Sequence, residues 1–166
     1  MSNYLHTLVK CIFITAALLG CTTLQANGPK ISFGGYYFNA PANPTFIGAS
    51  APDSLILLFE EDAKASFIIN NYKDFETEKT PLPLFLDILY GEAKPNNEKT
   101  KNLQKELEKD KVSGKVSKIE NLTTYEITYK EKTTIVIFDS ARSDSWITIE
   151  CKNLDASKLI KSIQSI

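Results

Sequence analysis

Apolar positions along the chain fall in short runs separated by polar turns, a spacing typical of β-strands. Residues 54–60, SLILLFE, form a nearly continuous apolar run, which is typical of a central strand covered on both faces. Residues 65–72 predict its antiparallel partner, because the residues between the two runs are charged and turn-like. Aromatic residues and glycines at 31–39 predict a first strand, and Phe46 with Ile47 predicts a short strand in a proline-rich loop.

A helix is predicted in the middle of the chain. Thr80 as N-cap, Pro81 at the first helical position and Gly91 as a stop are typical helix boundaries. Apolar residues between these boundaries follow the i, i+3, i+4, i+7 spacing and form one face, namely Leu82, Phe85, Leu86 and Leu89.

Two further helices are predicted. Residues 97–111 form a mostly polar one that ends near Gly114, with only Leu103 and Leu107 facing inward. Its lysines and acidic residues nearly balance, which is typical of a solvated face. Asp155 predicts the N-cap of a final helix with a shared apolar face of Leu159, Ile160 and Ile163.

Four strands follow the polar helix, and short turns join them into an antiparallel meander. They are predicted at residues 115–119, 124–129, 134–138 and 146–151. The element order is then β-β-β-α-α-β-β-β-β-α. Hairpin-length links within each group of strands indicate an α+β fold, an antiparallel sheet flanked by helices. Residues 31–166 are therefore expected to form one domain.

The N-terminus has the pattern of an export signal. Lys10 is the only charged residue among the first ten, and an apolar run at residues 11–19 follows it. A helix needs about 20 residues to cross a hydrocarbon core, so this run is too short for a permanent span. It ends in Leu18-Leu19-Gly20-Cys21, which resembles the bacterial lipobox.

The lipobox resemblance implies that residues 1–20 are a signal peptide and that Cys21 carries acyl chains, which insert in the membrane. Secretion with cleavage near Ala26 is the alternative. Residues 21–30 predict a lipidated cysteine and a polar tether that reaches at most about 30 Å. Because Thr22 rather than Asp follows the cysteine, the outer membrane is favoured over the inner one.

Composition excludes several functions. The chain has 19 basic and 20 acidic residues and a net charge of −1, so no overall positive field attracts nucleic acid. The one histidine, His6, is removed with a signal peptide. A mature chain without imidazole lacks Ser-His-Asp and Cys-His catalysis and the usual zinc or copper site. No nucleotide-binding motif is present, and neither a cofactor nor a metal is expected.

Cys151 is the one cysteine that remains when Cys11 is removed and Cys21 is acylated. No disulfide can then form within the mature chain. Cys151 shares a strand face with Ile147 and Ile149, which favours a buried thiol over a nucleophile.

Carboxylates are the remaining candidates for catalysis, since two of them suffice for glycoside hydrolysis. The acidic residues 60–62 fall at a predicted turn, which favours a solvated role. Asp139 and Asp144 flank Arg142, where a polar turn with a paired arginine is the plainer interpretation. No catalytic residue is therefore assigned.

Four residues are candidates for contact with a partner, namely Arg142, Tyr36, Tyr37 and Trp146. Arg142 is the only arginine of the chain, and its planar guanidinium suits recognition of carboxylate or phosphate. The aromatic residues suit the wall of a binding groove. Packing in the core is the alternative for them.

Three features of the chain match one known family. An early strand ends on Tyr37-Phe38-Asn39-Ala40-Pro41, two apolar strands precede the helices, and a meander ending in WITIEC leads into LDASKLIKSI. These features resemble the PsbP-type α-β-α sandwich of DcrB-like periplasmic lipoproteins over residues 30–166. The resemblance implies a noncatalytic binding or assembly module and names neither a ligand nor a catalytic residue.

These observations favour a lipid-anchored protein of the cell envelope that binds a protein partner without catalysis, as an assembly factor or an immunity-type protein does. It is expected on the periplasmic side of the outer membrane. A carrier of a small molecule or lipid, with a cavity between sheet and helices, is an alternative hypothesis. A carboxylate-dependent glycan hydrolase is another.

Overall fold

The structure, a computed structural model, describes residues 28–49, 51–75, 80–91, 93–142 and 144–165. The predicted signal peptide (1–20), Cys21 and most of the predicted tether (21–30) lie outside these residues. In chain order the described elements are β1 (Lys30–Phe33), β2 (Tyr36–Asn39), β3 (Phe46–Gly48), β4 (Ser54–Leu58), β5 (Lys64–Asn71), a 3-10 helix (Tyr72–Phe75), α1 (Leu82–Leu89), α2 (Glu98–Glu108), β6 (Lys111–Ile119), β7 (Leu122–Tyr129), β8 (Thr133–Asp139), β9 (Ser145–Lys152), α3 (Ala156–Lys161) and β10 (Gln164–Ser165).

Two antiparallel sheets carry the fold. The large sheet has the order β3-β4-β5-β9-β8-β7-β6, so the first strands and the later meander meet where β5 pairs with β9. The small sheet has the order β1-β2-β10. The predicted α+β fold, with an antiparallel sheet flanked by helices, is confirmed. The separate small sheet was not predicted, because β10 has two residues and forms only through its pairing with β2.

The first predicted strand, residues 31–39, is a hairpin rather than one strand. Phe33 pairs with Tyr36, and the two residues between them, Gly34 and Gly35, have φ angles of 58° and 82°. Two successive positive φ angles reverse the chain in a two-residue turn, and glycine adopts them without a steric penalty. The prediction of a continuous strand was therefore wrong.

The first helix begins one residue later than predicted. Pro81 is the N-cap in place of Thr80, and the helix starts at Leu82. Gly91 follows the C-cap Tyr90, as predicted for a helix stop. The predicted apolar face is confirmed, because all four of its residues are buried, namely Leu82, Phe85, Leu86 and Leu89.

The second helix ends at Glu108 rather than at residue 111. Asp110 has a φ of 63°, a left-handed conformation that stops a helix, and the chain enters β6 at Lys111. Gly114, predicted as the helix end, lies inside β6. The predicted strand 115–119 is thus only the second half of a strand of nine residues.

Alternate side chains of the large sheet build two cores, one on each face. On one face, Phe67 packs against Phe38 of the small sheet, and Leu159 of α3 belongs to the same core. On the other face, Trp146 packs with Phe85 of α1. The fold therefore has three layers. The large sheet lies in the middle, with the small sheet and α3 on one face and α1 and α2 on the other.

Candidate functional site

Three of the predicted contact residues, Tyr36, Arg142 and Trp146, border one cavity of about 20 Å³, which has room for a water molecule but not for a ligand, and Tyr37 does not border it. Tyr36 and Trp146 are each 3% exposed and belong to cores on opposite faces of the large sheet. Trp146 packs against Phe75, with their ring centres 5.1 Å apart. Tyr37 is half-buried, and the Lys30 ammonium nitrogen lies 3.8 Å from the centre of its ring. Core packing, the alternative interpretation, describes Tyr36 and Trp146.

Arg142 lies beside Tyr36 and makes its contacts within the chain. Its guanidinium donates a hydrogen bond to the Gly34 carbonyl, and its Cζ lies 5.0 Å from the centre of the Tyr36 ring. A Cβ atom on Gly35 would come within 2.2 Å of the guanidinium nitrogens. Arg142 therefore joins the β1–β2 turn to the turn between β8 and β9, and a role in partner contact remains a prediction.

The turn that holds Arg142 is ordered by Asp139. The Tyr36 hydroxyl donates to one Asp139 carboxylate oxygen at 3.2 Å, and the Ala141 backbone N–H donates to the other at 2.9 Å. Burial, followed by the Asp139 charge, raises the pKa of Tyr36 to about 12. The predicted polar turn is present, but Asp139 binds Tyr36 and the backbone, while Arg142 binds Gly34.

Cys151 and the acidic turn occupy the positions predicted for them. Cys151 is buried, and burial followed by the Glu150 charge raises the pKa of its thiol to about 12. The thiol therefore keeps its proton at neutral pH, which disfavours nucleophilic attack. The acidic residues 60–62 form the exposed turn between β4 and β5.

A groove of about 600 Å³ lies beside the C-terminal end of α2. Two carboxylates of this groove are paired with lysines, since Lys130 lies 2.8 Å from Asp110 and Lys132 contacts Glu150. The hydrogen bond from Lys130 lowers the pKa of Asp110. A glycosidase acid needs a raised pKa, so Asp110 does not fit the acid of the hydrolase hypothesis.

β6 is an exposed edge strand. It pairs with β7 on one side, and no strand of the described residues pairs with its other side. Val112, Val116 and Ile119 are 66%, 40% and 71% exposed. An edge of this kind presents backbone N–H and C=O groups that can pair with another chain.

The same strand is basic. It contains Lys111, Lys115 and Lys118 and no acidic residue. Lys115 lies opposite Glu126 of β7, whereas Lys111 and Lys118 lie opposite uncharged residues. Lys111 and Lys118 also line a groove of about 500 Å³ between β6 and α1. β6 thus combines a free edge, apolar side chains and positive charge.

The sequence pattern did not predict this surface. Residues 111–114 were assigned to a helix and its end, so only the second half of the strand, residues 115–119, was predicted. A signal was present in KVSGKVSKI, because its apolar residues lack the strict alternation of a strand with one buried face. Lysines and glycine along a strand are also typical of a sheet edge.

The described residues hold neither a helix suited to crossing a bilayer nor a cluster of three metal-ligating side chains. No protein-family model and no curated protein matches the sequence. Among solved structures, the solution structure of cyanobacterial PsbP (CyanoP) from Synechocystis sp. PCC 6803 is similar, with a TM-score of 0.48 and 12% identity. The match covers 88% of this chain and 97% of that one, and it concerns only the arrangement of strands and helices.

Proposed function

We propose that the chain is a lipid-anchored lipoprotein of the cell envelope and a noncatalytic protein-binding module, with β6 as its binding strand. The observation that carries this proposal is the open edge of β6. An extended segment of a partner adds a strand at such an edge, where main-chain hydrogen bonds supply affinity and side chains supply specificity.

The charge of β6 indicates the chemistry of that segment. Acidic residues of the partner would pair with Lys111 and Lys118, while its apolar residues would cover Val112 and Val116. A second copy of this chain is a poor partner, because two β6 strands would bring lysines close to lysines. The proposed partner strand is therefore acidic and apolar, and belongs to a different protein.

The proposed anchor rests on Leu18-Leu19-Gly20-Cys21. Acyl chains on Cys21 would hold the domain at a membrane, and Thr22 favours the outer membrane, facing the periplasm. Metabolic labelling with palmitate tests this anchor. The wild-type protein is expected to be labelled and the Cys21→Ser variant unlabelled, whereas an unlabelled wild type would overturn lipidation.

Site-specific photo-crosslinking in intact cells tests the binding strand. A photoreactive amino acid replaces Val112 or Ile119, near the two ends of β6, in the full chain. Leu84, an exposed residue of α1, is the matched control position. Both β6 positions are expected to yield one and the same adduct, linked through an acidic extended segment of the partner, and Leu84 is expected to yield none.

Charge reversal makes this test specific. Lys111→Glu with Lys118→Glu should reduce the adduct from Ile119 by at least about tenfold, because like charges then oppose each other. Lys101→Glu with Lys105→Glu, on the exposed side of α2, makes the same change in net charge and should leave the adduct intact. An adduct that survives the β6 reversal, or that forms equally from Leu84, would contradict the proposal.

The groove beside α2 supports a second proposal, a carrier of a small molecule or lipid. Its volume of about 600 Å³ lies within the range of ligand sites, and Tyr90 and Tyr129 are among its lining residues. Native mass spectrometry of protein released in mild detergent tests this idea. A retained ligand that Tyr129→Ala removes would support it, and a bare protein mass would exclude it.

A further inference from the structure

We infer that the β3 edge of the large sheet, with Phe46 and Ile47, rests on the surface of the bilayer that holds the anchor. The inference rests on the proposed lipidation of Cys21 and adds to it a second, apolar contact with lipid. Four observations support it, namely the path of the chain, the exposure of β3, the distribution of charge and the position of β6.

The chain enters the domain close to β3. The Gly28 N–H donates to the Ala40 carbonyl at 2.9 Å, and the Ala40 N–H donates to the Pro29 carbonyl at 3.0 Å. Gly28 also lies against Ala42, from which the chain reaches Phe46 within about 14 Å. Cys21 precedes Gly28 by a stretch of chain that spans at most about 25 Å. An acylated Cys21 therefore holds this part of the domain close to the lipid.

β3 is apolar and exposed on both of its faces. Phe46 and Ile47 are 54% and 50% exposed, and as neighbours in a strand they point to opposite faces of the sheet. Leu58, which pairs with Phe46, is also exposed and extends the apolar surface. An exposed apolar edge of this kind promotes aggregation in water unless something covers it. The proposed anchor holds the domain near the bilayer, whose acyl chains can cover these apolar side chains.

Charge is absent from the same stretch of chain. No charged residue occurs between Lys30 and Asp53, although 23% of the chain is charged. The acidic turn at residues 60–62 follows Leu58, the residue that pairs with Phe46. Contact through β3 therefore relies on insertion of apolar side chains, and anionic lipid should not strengthen it.

β6 occupies the opposite edge of the large sheet. Six strand spacings separate the two edges, a distance of about 29 Å. With β3 on the bilayer, β6 would face away from it, and the proposed partner would reach its binding strand without displacing lipid. The two contacts are therefore compatible.

Tryptophan quenching tests the contact. Lipidated full-length protein carrying Phe46→Trp is placed in phosphatidylcholine vesicles, with or without bromine on the upper acyl chain. Trp146 is the only native tryptophan and is buried, so it supplies a constant background. The added emission should be largely lost in brominated vesicles. Replacing part of the phosphatidylcholine with phosphatidylglycerol should not increase that loss.

Ile119→Trp, at the last residue of β6, is the matched control and should keep its emission in the same vesicles. Equal quenching at both positions would overturn the β3 contact. So would a Phe46→Trp protein that floats with the vesicles and carries palmitate but shows no quenching. Neither result would contradict lipidation of Cys21. Protein that neither floats nor incorporates palmitate would overturn the anchor, and the β3 inference with it.

Discussion

The Tyr125 hydroxyl donates a hydrogen bond of 2.7 Å to the Asp87 carboxylate. Tyr125 belongs to β7 and Asp87 to α1, so this bond joins the helical layer to the large sheet. Tyr125 is almost fully buried, and burial followed by the bond to Asp87 raises its pKa. The bond therefore helps to set the position of α1 above the sheet.

Tyr125→Phe should lower the free energy of unfolding by about 1–3 kcal/mol, because it removes the donor and leaves a half-buried carboxylate without it. Urea denaturation followed by Trp146 fluorescence measures this change. Tyr37→Phe is the control, since no hydrogen bond of the Tyr37 hydroxyl occurs among the described residues. A loss of stability as large in the control would show that the bond to Asp87 is not its cause.

Gly35→Ala should destabilise the β1–β2 hairpin by about 1–3 kcal/mol, because the residue has a φ of 82° and its new Cβ would meet the Arg142 guanidinium. Thermal unfolding of the single variants and of the double variant with Arg142→Ala forms a double-mutant cycle. Gly35→Ala should lower the stability less in the Arg142→Ala background than in the wild-type protein. Additive effects would mean that the backbone conformation alone accounts for the loss.

Alkaline pH should unfold the protein progressively. The folded-state pKa values of Tyr36, Tyr90 and Cys151 are each raised to about 12, chiefly by burial, so the unfolded chain releases these protons first. Stability should be complete below about pH 8 and decrease toward about pH 12, by up to about 1.4 kcal/mol per pH unit for each group. Urea denaturation across this range measures the slope.

Cys151→Ala provides the control for the alkaline transition. Without the thiol, the decrease should begin near pH 10, where unfolded tyrosines titrate, rather than near the pKa of an unfolded thiol at about 8.5. An onset that does not move would assign the transition to tyrosine alone.

Asn97→Ala should cost about 1 kcal/mol of stability. Asn97 is the N-cap of α2, and its side chain accepts from the Thr100 N–H at 2.8 Å while the Thr100 hydroxyl accepts from the Asn97 N–H. Asn102→Ala, at an exposed position inside the same helix, removes the same side chain and should be neutral or stabilising. Chemical denaturation of both variants distinguishes lost capping from a general effect of the substitution.

Local patterns predicted the helix face of α1 well, because its spacing depends only on helix periodicity and Pro81 and Gly91 mark the ends of the helix. The same approach failed at Gly34 and Gly35, where two residues decide between one strand and a hairpin. It also failed at residues 111–114, because the left-handed Asp110 that ends α2 has no strong signature in sequence.

For the candidate binding residues too, the sequence predicted which residue types could bind but not where they lie in the fold. Trp146 and Tyr36 were predicted for the wall of a groove, but an aromatic side chain serves a core equally well, and only the packing partners distinguish the two roles. Arg142 reaches Gly34 from a distant part of the chain, a contact that residue type cannot predict. The open edge of β6 depends on which strand ends the sheet, which is a property of topology.

By itself, the amino-acid sequence determined the α+β class, the burial of Cys151 and the absence of histidine after residue 6, because these follow from periodicity, hydrophobicity and composition. The tertiary structure alone decided that β6 and β3 lie at opposite edges and that Tyr36 and Trp146 lie in separate cores. The reason is physical. Strand order and exposure arise from contacts between residues far apart in the chain, and no local pattern records them.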